Sequence, residues 1–224
     1  MTHPQDPFSA LLYPMLTAQP SMLAGTVAEL ARAPIEKSAE SNALRHQLLE
    51  AQGDDIIVAA RRIAREVLAG GRLLACGNGG SATLAADLVA EAMNPDGDAP
   101  AVPGLCLTGD VSVVTAVAND VSFDDVFLRQ LIALSRPNDV VVLVSTSGNS
   151  ENLLRAASCA QQRGLVTVGI AGYDGGRLAK EYRLDHCFVV RSSSVHRIQE
   201  VQTTLCHLLL HRIQTSLRET AACA

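Results

Sequence analysis

From Gly71 onward the chain alternates short, unbroken aliphatic runs with longer amphipathic stretches, and each run ends in Gly, Ser, Asn or Asp. The runs are Arg72 to Cys76, Gly104 to Leu107, Val140 to Ser145, Val166 to Ala171 and Cys187 to Val190. Most are continuously apolar rather than alternating, as strands buried on both faces of a parallel sheet must be. Helical stretches are expected between them at 81–93, at 111–134 with a break near Asn119, at 150–163 and at 176–182, and a last one at 195–217 ends the fold. The pattern predicts an α/β fold in which helices cover both faces of a parallel sheet.

Before Gly71 the pattern changes. Ile56, Ile57, Ala60, Ile63, Ala64 and Val67 recur at three- and four-residue spacing and stop at Gly70-Gly71, which predicts one helix, with a second over 22–51. Residues 1–20 hold four prolines and little periodicity and read as a loosely ordered arm. The expected organisation is therefore an arm (1–20), N-terminal helices for packing and oligomerisation (21–70), the α/β domain (71–217) and a short tail (218–224).

Composition narrows the function. Aromatics are 3% with no Trp, so aliphatic packing carries the core and base-stacking platforms for nucleic acid are not expected. Net charge is -5, and no basic field exists to collect phosphate backbones or anionic lipid, so an anionic ligand must be held locally. No apolar stretch reaches the ~18 residues of a membrane span, and MTHPQDPF does not resemble a signal peptide. Six cysteines without a CxxC pair fit reduced thiols in a cytoplasmic protein.

Two turns carry the strongest local signal. The first run feeds Gly77-Asn78-Gly79-Gly80-Ser81 and then a helix, so glycines let backbone approach a ligand beside a positive helix end. The third run feeds Ser145-Thr146-Ser147-Gly148-Asn149-Ser150 and another helix, adding four hydroxyls that donate to phosphoryl oxygens. Ser81 and Ser150 also suit helix capping, which is the competing explanation. A dinucleotide fingerprint through Gly77, Gly79 and Ala82 is disfavoured, because the second strand ends near Asp110, too late for the required acidic residue.

Asp87 and Glu91, one helical turn apart within LAADLVAEAM, are candidates for acid–base work or for holding a cation, against the alternative of two ordinary exposed acids. On the final helix Gln199, Thr203 and His207 share a stripe. His207 lies among Leu205, Leu208 and Leu209, which by residue type alone favours a hydrogen-bonded core histidine over a catalyst.

CGNGGS at 76–81, VAND at 117–120, STSGNS at 145–150 and RIQE at 197–200 occur in the order found in bacterial phosphoheptose isomerases, which the chain resembles over roughly 54–216. These belong to the sugar isomerase (SIS) domain family. The resemblance implies a three-layer α-β-α sandwich around a five-stranded parallel sheet, of the flavodoxin-like kind, assembled as a homotetramer with active sites between subunits and converting sedoheptulose 7-phosphate into the corresponding aldoheptose 7-phosphate. Carried over by motif, it implies substrate binding by Asn78, Gly79, Gly80, Ser81, Asn119, Asp120, Ser145, Thr146, Ser147, Ser150 and Gln199. It implies catalysis by Glu91 and His207. A zinc or other divalent cation is implied at Asp87, Glu91, Gln199 and His207. Two departures stand out: Asp87 occupies the position of a family histidine that ligates zinc, and Asn94-Pro95-Asp96 stands where the family tends to have an arginine. Gln199 and His207 are also ~12 Å apart along a straight helix, which strains a shared metal. The competing function is a non-catalytic module like the family members that associate with the replication initiator DnaA, which lack the catalytic pair.

Overall fold

The computed structural model describes residues 20–222, so the arm at 1–19 lies outside the described residues. The elements are α1 (Pro20–Leu68), β1 (Leu73–Gly77), α2 (Gly80–Met93), β2 (Gly104–Cys106), α3 (Val111–Asp120), a 3₁₀ turn (Phe123–Asp125), α4 (Val126–Leu134), β3 (Val140–Ser145), α5 (Glu151–Gln162), β4 (Val166–Gly172), α6 (Gly176–Lys180), β5 (His186–Val190) and α7 (Val195–Ala222). The chain divides into two compact units, Met1–Asn42 and Ala43–Ala224. The described part of the first is helical; the second holds the sheet and every candidate site residue.

Five parallel strands in the order β2-β1-β3-β4-β5 form the sheet. Strands β1, β3 and β4 are buried along their whole length, as continuous aliphatic runs require. Two cores follow from the two faces. Leu73, Ala75, Val140, Val142 and Val144 pack against α2, α7 and the second half of α1, whereas Leu74, Cys76, Val141 and Leu143 pack against α4 and α5. Alternate residues of one strand thus serve opposite layers. The order reverses at β1 and β3: the chain leaves β1 for β2 on one side and returns to β3 on the other. That switch point puts the carboxyl ends of β1 and β3 side by side, with Gly77 paired to Val144.

Two boundaries differ from expectation. The two predicted N-terminal helices are one 49-residue helix, which crosses Gly53, where an added Cβ would meet nothing within 4 Å, at a cost of about 1 kcal/mol. Burial of Ile56, Ala59, Ala60, Ile63 and Ala64 just beyond outweighs that cost. The predicted tail from 218 is largely helix, since α7 continues to Ala222. Cys76, Cys106, Cys159, Cys187 and Cys206 are free thiols. Burial pushes Cys206 up to about 12, with the Glu91 charge adding to it, and pushes Cys187 up to about 11, with Asp55 adding to it, so both stay protonated near neutral pH. Among the described residues no helix is long and apolar enough to cross a membrane.

Candidate active site

The two glycine- and serine-rich turns meet at the switch point and enclose a pocket of about 260 Å³ lined by Asn78, Ser81, Ser145, Thr146, Ser147, Ser150 and Tyr173, among others. Helix capping does not account for these hydroxyls. The N-cap of α2 is Gly79 rather than Ser81, and the Ser150 side chain caps nothing although Ser150 is the N-cap of α5. Ser145 Oγ accepts from Gly148 N at 3.0 Å and Ser147 Oγ from Asn149 N at 3.2 Å, so both shape the turn through their lone pairs and keep O–H protons to donate. The turn is braced from α6: Arg177 N donates to Asn149 Oδ1 and Leu178 N to Gly148 O, both at 2.9 Å. Gly148 has a φ of +65°, and a Cβ there would lie 2.0 Å from Gly175 O, so only glycine fits.

From this cradle α2 and α7 run side by side in the same direction. Gly80 faces Gln199 so closely that a Cβ on Gly80 would sit 2.6 Å from Gln199 Nε2. Further along, Glu91 meets His207, with Oε1 and Nε2 3.1 Å apart. Between these points a pocket of about 270 Å³ is lined by Asp87, Gln199, Gln202 and Thr203, with Ser81 shared with the cradle. Beyond them the Glu91–His207 pair opens into a cleft of about 510 Å³ lined also by Asn94, Asp96, His211, Gln214 and Arg218. The core-histidine expectation therefore fails: His207 is 52% exposed and Glu91 46%. Leu205 and Leu209 turn into the core while His207 looks the other way. Likewise Leu88, Val89 and Ala92 face the core, and Asp87 and Glu91 lie on the opposite, open face of α2. This constellation suits a phosphorylated ligand: an anion cradle at one end, polar side chains along the middle, and a carboxylate–imidazole pair at the other.

The SIS domain family matches residues 38–172. Phosphoheptose isomerase of Nitratidesulfovibrio vulgaris is 41% identical over 182 residues, covering 81% of this chain and 86% of that protein. The one from Desulfovibrio desulfuricans is 44% identical over 181 residues, covering 80% and 85%. The chain belongs to the phosphoheptose isomerase branch of the SIS family. Its fold superposes on the phosphoheptose isomerase GmhA of Neisseria gonorrhoeae with a TM-score of 0.76 at 33% identity, covering 83% of this chain and 99% of that one. A phosphoheptose isomerase from Francisella tularensis gives 0.77 at 29% identity, covering 84% and 98%.

Against the residues implied by membership, the structure brings together Asn78, Ser81, Ser145, Thr146, Ser147 and Ser150 at the cradle, Gly80 and Gln199 beside it, and Glu91 with His207. Gly79 forms the turn at a φ of +55°. Asn119 and Asp120 stand apart: they end α3, exposed, with Asn119 Nδ2 donating to Asp120 Oδ1 at 2.7 Å, and neither lines these pockets. The four implied zinc ligands divide between two pockets, Asp87 with Gln199 and Glu91 with His207. Among the described residues no three His, Cys, Asp or Glu side chains converge on one point, and α7 runs unbroken from Gln199 to His207, so the four do not fit one tetrahedral ion as arranged.

Sequence reasoning missed Asn152, Tyr173 and Arg218. Asn152 is buried and exchanges hydrogen bonds with Asn78. Tyr173 follows β4 with a φ of +51°, unusual for a residue with a side chain, and lines the cradle. Arg218 lines the cleft from the stretch assigned to a tail, together with Asn94, Asp96 and His207. Only Asn94-Pro95-Asp96, standing where the resemblance implies an arginine, hinted that a cation had to come from elsewhere.

Proposed function

We propose that the protein is an aldose–ketose isomerase acting on a sugar phosphate, sedoheptulose 7-phosphate to D-glycero-D-manno-heptose 7-phosphate. The observation that carries this is the 3.1 Å pairing of Glu91 with His207 at the far end of a groove that begins in a hydroxyl-lined anion cradle. The cradle takes the phosphate and so fixes the register of the carbon chain along α2 and α7. Glu91 removes a proton from C1 of the ketose while His207 donates one to the C2 oxygen, giving an enediol. Glu91 then returns its proton to C2 and His207 recovers one from the C1 hydroxyl, leaving the aldose. The non-catalytic reading loses its footing, because the two residues it treats as relics are in contact.

The test is isotope exchange. Sedoheptulose 7-phosphate labelled with deuterium at C1 should lose label to water in the presence of the protein, whereas unphosphorylated sedoheptulose should neither exchange nor bind measurably by calorimetry. Equal affinity for the two sugars would defeat the cradle assignment, and absence of exchange would defeat the isomerase.

The assembly that accompanies this reading is a homotetramer with sites between subunits. Supporting it, the catalytic pair is half open to solvent in the single chain, whereas an enediol is protected by excluding water. Val111, Val113, Phe123, Ile132 and Leu134 also leave apolar surface uncovered. Light scattering at micromolar concentration should give about four times 23.6 kDa; a monomer would overturn it. A cytoplasmic location accords with the free thiols.

For the metal, zinc or a harder divalent cation, the reading is narrower. A carboxylate at position 87 in place of imidazole lowers the preference for zinc, and the divided donor set lowers it further. The isolated protein should carry well under one zinc per chain by elemental analysis, and Asp87→His should carry more. A full zinc complement in the unaltered protein would show that α2 and α7 rearrange to gather all four donors.

A further inference from the structure

The cradle is built from two turns that no backbone ladder connects. Sheet pairing between β1 and β3 ends at Gly77 and Val144, and β3 itself ends at Ser145. Beyond that edge the two turns need a tie of their own if they are to present donors to one tetrahedral anion at constant spacing. One residue supplies it. The Asn152 carboxamide donates to Asn78 Oδ1 at 3.0 Å and accepts from Asn78 Nδ2 at 2.9 Å, a head-to-tail pair spanning 74 residues of sequence. Asn152 is 2% exposed and does not line the cradle, so it cannot be a ligand itself. Asn78, by contrast, lines the cradle with its side chain already engaged on Asn152.

We propose that Asn152 is a positioning residue that clamps the Gly77–Gly80 turn to the first turn of α5 and thereby sets the phosphate affinity of the cradle. The chemistry favours a carboxamide at both ends. Aspartate at 152 would set oxygen against Asn78 Oδ1, leucine would leave both polar atoms of Asn78 without their partner, and glutamine would displace the amide by one methylene. The clamp acts on the turn through Asn78, whose carbonyl accepts from Ser81 N at 3.0 Å and which precedes Gly79 at its left-handed φ. With the clamp intact, the turn meets a phosphate preorganised; without it, binding must order the turn first. The inference rests on the sugar phosphate reading, but it concerns affinity rather than the proton transfers, which take place at Glu91 and His207.

The experiment compares the unaltered protein, Asn152→Ala, Asn78→Ala and the double variant. Sedoheptulose 7-phosphate turnover gives KM and kcat, calorimetry with inorganic phosphate gives Kd, and thermal unfolding gives Tm. Asn152→Ala should raise KM and the phosphate Kd together by about tenfold or more and leave kcat within about threefold. The double variant should be no worse than Asn78→Ala alone, since both substitutions remove the same link. A further variant, Asn152→Ser, keeps a small polar group at the buried helix position and should reproduce the weakened phosphate binding, which keeps the test valid if Asn152→Ala folds poorly. A lowered Tm with an unchanged phosphate Kd in the folded protein would overturn the clamp, as would additive losses in the double variant. If the unaltered protein binds phosphate but does not turn over the sugar phosphate, the isomerase reading fails, and phosphate affinity alone decides for or against the clamp.

Discussion

Replacing Glu91 by Gln should lower isomerase turnover by about 10²–10⁴-fold while changing KM little, the loss typical of a general acid–base group. The substitution keeps the shape of the side chain and leaves an amide oxygen opposite His207 Nε2, where the carboxylate now lies at 3.1 Å. What it removes is the carboxylate oxygen to which the proposed mechanism assigns the carbon-bound proton. Loss of deuterium from C1 should therefore slow in parallel with turnover. His207→Asn should slow turnover to a similar degree from the other side of the reaction, since protonation of the C2 oxygen fails even where the base is present. The double variant should be much less than multiplicatively worse, because either loss alone stops the proton shuttle. Isotope exchange at the rate of the unaltered protein in Glu91→Gln would remove Glu91 from the role of base.

The other large effect is expected far from the reacting carbons. Gly148→Ala should destabilise the protein by about 2–6 kcal/mol, taking ~1–3 for a side chain held at left-handed φ and ~1–3 for forced overpacking. The physical cause is specific: at a φ of +65° the new Cβ would lie 2.0 Å from Gly175 O, a backbone atom that cannot swing aside. Relief requires the Ser145–Ser150 turn to separate from α6, which breaks the Leu178 N to Gly148 O bond and with it the bracing of the hydroxyls. The thermal midpoint should fall on the order of 10 °C, given ~2–4 °C per kcal/mol for a chain of this size. Inorganic phosphate should raise the midpoint of the unaltered protein and fail to raise that of the variant. A midpoint within measurement error of the unaltered protein, still raised by phosphate, would show that the turn accommodates the methyl group without loss.

Both expectations depend on how the sheet gathers distant residues, and the two helices beside the site show what was legible beforehand. Buried parallel strands announce themselves, since a strand covered on both faces has no place for a polar residue; the run Val140 to Ser145 is buried throughout. The cradle turns were legible for a related reason. Gly79 and Gly148 occupy left-handed backbone that other residues adopt at a cost, and four hydroxyls in six residues exceed what one helix end uses.

What the sequence by itself determined, then, is the strand-and-turn framework, because backbone sterics and burial act locally on each residue. The tertiary structure decided three things that local pattern cannot express. It carried α1 through Gly53 as one helix, since packing of Ile56, Ala59 and Ile63 against the sheet outweighs a propensity cost of about 1 kcal/mol. It turned His207 out of its leucine-rich surroundings toward Glu91, because helical spacing sends Leu205 and Leu209 to the core and leaves His207 on the face that meets α2. And it gave Asn152 its partner, which no window of sequence could reveal, because among the described residues that buried carboxamide pairs with Asn78, 74 residues away and brought there through the pairing of β1 with β3.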